Sequence, residues 1–165
     1  MRKLVIVLLL VSLAITFFCI PASADPVRQT KAPTQGIMSS DPMYGSFDSS
    51  EIDPDQVSTN GGLIMKWGCS ISNLGNGTVD IYGYTQTYSV EDSVKVTAYL
   101  QKWTGSRWED VIGVAGSASN TNYISASKNI AVSRGYYYRT WAVHTAANTS
   151  ASEITYSTSS YIYVN

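Results

Sequence analysis

The chain has 165 residues, 44% of them hydrophobic and only 14% charged, with 11 basic residues against 12 acidic ones and a formal net charge of −1. A nucleic-acid binder needs a surplus of Lys and Arg to neutralise phosphates, and that surplus is missing. Two cysteines, Cys19 and Cys69, and one histidine, His144, leave no set of ligands with the spacing of a zinc site.

The first 24 residues have the three-part layout of a secretory signal. Met1-Arg2-Lys3 is positive, Leu4 to Ile20 is apolar, and Ala22-Ser23-Ala24 follows a helix-breaking Pro21 as a small-x-small cleavage site. The bulky Phe17-Phe18 ahead of Cys19 does not fit a lipidation site. Removing residues 1–24 from the 165 leaves 141, and takes Arg2 and Lys3 with it, so 9 basic residues face 12 acidic ones at a net charge of −3. Cys69 is then the one remaining thiol, and the mature chain has no intramolecular disulfide. The expected localisation is secreted, with no stable membrane insertion after cleavage. Sparse cysteine outside the cell suits a bacterial exporter, Gram-positive above all.

Residues 25–62 are rich in Asp, Ser, Gln and Pro and show neither helical nor strand period. They are expected as a disordered leader, with an acidic cluster at Asp48, Glu51, Asp53 and Asp55 acting as a solubilising linker. All five prolines lie before residue 55. The proline-free remainder, residues 63–165, suits strands that cannot lose ladder donors.

Period-two alternation runs through that remainder. Met65, Trp67, Cys69 and Ile71 share one face of a first strand, and Asn76-Gly77 supplies the positive φ angles of a tight hairpin. Val79 and Ile81 oppose Tyr82, Tyr84 and Tyr88 in a second strand reaching Tyr88. Glu91-Asp92 marks a turn, and Val94, Val96, Ala98 and Leu100 form the buried face of a third strand. A fourth covers about Trp108–Val114, and Gly116 to Asn122 reads as a loop. A fifth spans Tyr123–Val132, a sixth Tyr136–Thr145, and a seventh Ile154–Val164. Seven strands with short turns in about 100 residues predict an all-β fold, a two-layer antiparallel β-sandwich of immunoglobulin-like type.

Two resemblances accompany this reading. Gly135-Tyr136-Tyr137-Tyr138-Arg139, opening the sixth strand after a turn, resembles immunoglobulin-like and fibronectin type III sandwiches. There a tyrosine hydroxyl at this place bonds back to the preceding corner, a role that would fall to Tyr138. The second rests on Trp67-Gly68-x-Ser70-Ile71-x-Asn73-x-Gly75, Gly83-x-Thr85, and Tyr99-Leu100-Gln101-Lys102-Trp103 before Trp108. With Gly135 to Arg139 ahead of His144, this set is similar to a family of small exported Gram-positive proteins described as a domain of unknown function. The resemblance implies secretion and a β-rich fold and carries no catalytic residues.

Chemistry is scarce. A Cys69–His144 pair would need the two to meet in the fold; otherwise His144 is a hydrogen-bonded strand residue and Cys69 a small buried hydrophobe. Glu91-Asp92 and Glu109-Asp110 read as solvated turn charges rather than a glycosidase pair or a calcium loop. No catalytic residue, metal site or cofactor is assigned. Tyrosine is the one compositional excess, 12 residues with 4 tryptophans. With Val and Ile facing inward, Tyr82, Tyr84 and Tyr99 form an outward face, the candidate ligand-binding surface; Tyr161 and Tyr163 are expected outward, and Trp103 and Trp108 as a clasp across a turn. Two function classes follow. One is a non-catalytic protein acting by surface contact, with cell-wall glycan or an extracellular protein as partner. The other is a small extracellular enzyme or toxin-like effector built on His144, Cys69 or a carboxylate pair.

Overall fold

The computed structural model describes Pro33, residues 36–48 and residues 62–165. The expected signal segment and the acidic residues 51–55 lie outside the described residues. Nine strands are present and no helix is found among the described residues: β1 Tyr44–Asp48, β2 Ile64–Gly75, β3 Thr78–Glu91, β4 Ser93–Trp103, β5 Trp108–Ala118, β6 Thr121–Ala131, β7 Tyr136–Ala147, β8 Ser152–Thr158 and β9 Ile162–Val164. They form two antiparallel sheets. The first has the order β1-β2-β3-β6; the second has β5-β4-β7-β8, with β9 also on β7.

The alternation in the sequence sets the core. Ile71, Val79 and Ile81 of the first sheet face Ala98, Leu100, Tyr138, Ala142, Ile162 and Val164 of the second, all but inaccessible to solvent. At about 25 cal/mol per Å² of apolar surface, burial of this kind is the main stabilising contribution open to a domain without disulfides. The β2–β3 hairpin closes through Asn76 and Gly77, at φ 51° and 71°, as the Asn-Gly pair requires. Tyr138 donates its hydroxyl to the Ser133 carbonyl at 2.8 Å, tying the start of β7 to the corner before it.

Three stretches differ from the sequence expectation. The leader expected over 25–62 is not wholly outside the fold. Residues 44–48 pair with β2, Tyr44 opposite Ser72 and Asp48 opposite Gly68. Residues 37–39 lie beside Tyr161 through Tyr161 N–H to Ile37 O (3.0 Å) and Ser39 N–H to Tyr161 O (3.1 Å). An Asp-Pro turn joins the two pieces, with the Asp41 carboxylate accepting the Met43 amide at 2.8 Å. Next, the stretch 116–122 is mostly strand: β5 runs to Ala118 and β6 starts at Thr121, because Ser and Gly pair with β4 as readily as larger residues. Finally, the seventh expected strand is broken at 159–161. β8 pairs with Trp141–Ala147, β9 pairs with Tyr136–Tyr138, and between them Ser159 Oγ accepts the Thr140 amide at 2.9 Å.

Candidate functional site

Strand parity and cross-strand register build an aromatic face on the outside of the first sheet. Tyr82 stands between Ser70 of β2 and Ser127 of β6; Tyr84 stands between Gly68 and Ser125. Small neighbours on both sides leave room for the rings. The Tyr82 and Tyr84 centroids are 6.1 Å apart, and Tyr84 and Tyr123 stack at 6.3 Å with 25° between planes. The Tyr82 and Tyr123 hydroxyls are hydrogen-bonded at 2.9 Å. Partial burial, then that hydrogen bond, pushes the Tyr82 phenol up to about 12, and Tyr44 is close enough to add to the shift. Tyr123 and Tyr44 are each 44% exposed, so the cluster is open to solvent at both ends.

Tyr99 does not join this face. It lies on β4, in the other sheet, 5.4 Å from Trp141, and Trp141 in turn stacks on Tyr156 at 5.9 Å and 9°. Its ring covers Gly113 of β5, where an added Cβ would lie 2.9 Å from the ring. The three tyrosines singled out in the sequence thus divide two and one between opposite outer faces. Tyr123 was missed because its strand holds no second aromatic residue to announce a stripe.

Trp103 and Trp108 do touch, at 5.4 Å, but they are part of a longer array. Trp108 contacts Tyr161 at 6.0 Å, Tyr137 contacts Tyr161 and Tyr163, and the Arg139 guanidinium lies 4.4 Å from the Trp108 ring centroid. Tyr161, expected outward, is buried, since residues 36–39 run beside it. Tyr163 is half-buried.

His144 and Cys69 are both inside the sandwich. Thr85 Oγ1 donates to the Lys95 carbonyl at 3.1 Å, so its lone pair accepts Nδ1–H of His144 at 3.0 Å. Nε2 then accepts the Ser157 hydroxyl at 2.7 Å. Burial lowers the imidazole to about 4, against a weaker upward pull from the Tyr84 backbone. Burial also raises the Cys69 thiol to about 12, and its S–H donates to the Thr140 carbonyl at 3.5 Å. A neutral imidazole and a protonated thiol are the reverse of the ion pair a cysteine nucleophile uses.

The acidic pairs do not converge. Glu91 is buried, not solvated: it accepts the Ser89 hydroxyl and the Asn148 amide, both at 2.7 Å, and fastens the β3–β4 corner to the β7–β8 loop. Glu109 pairs with Arg107 at the surface at 2.5 Å, and Asp110 accepts Gln101 Nε2 at 2.8 Å. Among the described residues no group of three His, Cys, Asp or Glu could hold a metal ion, and no helix is long and apolar enough to cross a membrane.

Fold and site together define a two-sheet antiparallel β-sandwich with aromatic outer faces. No protein-family model, curated protein or solved structure matches the chain.

Proposed function

We propose that this is an exported, non-catalytic β-sandwich that acts by surface contact, and that its tyrosine face binds extracellular glycan. The observation that carries the reading is the composition of that face. Outward positions of β2 and β3 hold Gly68, Ser70, Ser72, Asp80, Tyr82 and Tyr84, and β6 adds Tyr123, Ser125 and Ser127. Aromatic rings with hydroxyls around them match both sides of a sugar, its apolar ring face and its polar rim. A protein partner would favour an apolar centre, and no aliphatic side chain stands among these central positions; the exposed Leu74 and Ala131 lie at the end of β2 and of β6. Tyrosine among serine and glycine also loses little entropy on contact. The positions of His144 and Cys69 weigh against the alternative of a small enzyme or toxin-like effector, since both groups have spent their hydrogen bonds inside the core. The signal-like N-terminus and the resemblance to small exported Gram-positive proteins support the extracellular setting.

The test is retention of the secreted product on insoluble peptidoglycan and on a glycan array, beside Tyr84→Ala/Tyr123→Ala. Retention that the double variant loses by roughly tenfold or more, the scale of two aromatic contacts, supports the reading. Equal retention by both proteins, or retention by neither, counts against it.

A further inference from the structure

A cleft of about 790 Å³ opens between residues 36–47 and the corner at 158–160, with Arg139 in its lining. That volume lies within the ~300–1,000 Å³ of small-ligand clefts. Arg139 is held on one edge and one face. Nε donates to Gln101 Oε1 at 2.8 Å, Gln101 is itself fixed by Asp110, and the guanidinium plane covers Trp108. Among the described residues neither Nη group has a hydrogen-bond partner, and Nη1 lies at the cleft wall beside Gly36. Ser40, Ser46, Thr158 and Ser160 line the same cleft, and their hydroxyls are also without a hydrogen-bond partner among the described residues. Among the described residues Asp41 is the one acid in the lining, and its carboxylate is engaged by the Met43 amide.

We propose that this cleft holds the carboxylate-bearing unit of an acidic saccharide, with the Arg139 fork on the carboxylate and the four hydroxyls on the sugar. A fixed, half-buried guanidinium edge suits a two-point charge-assisted contact, and its orientation is set before the ligand arrives. A saccharide is favoured over a peptide by the hydroxyl-rich wall. Continuity favours it too: Tyr44 and Ser46 line the cleft and also stand on the outer face of β1, beside the tyrosine cluster. The inference therefore rests on the glycan reading of that cluster and adds the charge of the ligand.

Calorimetric titration of the full secreted chain with a short oligouronate and with its methyl ester tests this, using Arg139→Gln, Arg139→Lys and Thr158→Val. The wild type binds the acid roughly tenfold more tightly than the ester, the worth of one charge-assisted pair. Arg139→Gln abolishes the preference. Arg139→Lys, which keeps the charge without the fork, retains part of it. Thr158→Val, which leaves the core untouched, weakens binding severalfold with an unchanged melting temperature. Equal binding of acid and ester, or a preference that survives Arg139→Gln, overturns the proposal; so does a peptide carboxyl terminus bound as tightly as the oligouronate. If acid and ester bind alike and both are lost in Tyr84→Ala/Tyr123→Ala, the tyrosine face stands and the cleft proposal falls. If the Arg139-dependent preference persists while the tyrosine variant binds normally, the tyrosine reading falls instead.

Discussion

His144 illustrates how one residue type admits two opposite uses. In a site it would exchange protons near neutral pH; between two sheets it is a neutral crosslink from β7 to Thr85 of β3 and Ser157 of β8. Hydrophobic alternation does not reveal its inward parity, since Val143 is the more apolar neighbour yet is half-buried, while His144 is buried with Ala142 and Ala146. Its partners are 59 and 13 residues away and are set by sheet packing, which local pattern does not contain. The depressed pKa has a thermodynamic consequence. On acidification the unfolded chain takes up this proton near the ordinary 6.5, whereas the folded chain holds out to about 4. The contribution of His144 is therefore complete above pH 6.5 and is lost as pH falls towards 4, by about 3 kcal/mol at ~1.4 kcal/mol per unit. Urea midpoints across that range should fall for the wild type and fall less for His144→Leu, whose overall stability is lower because the Ser157 hydroxyl loses its acceptor. Parallel slopes for the two proteins would refute the assignment.

At the scale of elements, the long strands were legible and the short ones were not. β3, β4 and β7 announce themselves by sustained alternation, and the turn after β2 by Asn-Gly. β1 is five residues, Tyr-Gly-Ser-Phe-Asp, too short and too polar for a period to emerge, and it follows a proline. What holds it is tertiary: Gly45 passes so close to the 159–161 corner that a Cβ there would stand 2.4 Å from the Ser160 carbonyl oxygen. The break between β8 and β9 belongs to the same corner, and its cause, Ser159 filling a ladder position on β7, is invisible to a pattern of alternating residues. Gly45→Ala should therefore push β1 off the corner at a cost of about 1–3 kcal/mol, the range for forced overpacking. Hydrogen exchange reads this out. The amides of Ser39 and Tyr161, bonded across this junction, should lose protection while those of β4 and β7 keep theirs. Unchanged protection at Ser39 and Tyr161 would show that the corner tolerates the methyl group.

For the whole molecule, strand parity placed Tyr82, Tyr84 and Tyr99 outward but erred at Tyr161, and it did not tell which sheet carries each. Sheet membership needs the strand order, and β3 and β4, adjacent in sequence, part into different sheets across the corner at Asp92. Tyr82 and Tyr84 accordingly share a face with Tyr123 from a strand about 40 residues on, while Tyr99 sits on the opposite side with Trp141 and Tyr156. The glycan reading depends on the first of these faces. The most direct test is an amide chemical-shift titration of the labelled protein with soluble cell-wall oligosaccharides. Saturable shifts are predicted at residues 44–46, 68–72, 80–86 and 123–127, joined by residues 36–41, Arg139 and residues 158–160 when the oligosaccharide carries a carboxylate. Saturable shifts on the Tyr99–Trp141–Tyr156 face alone, or no shifts at all, would contradict the account.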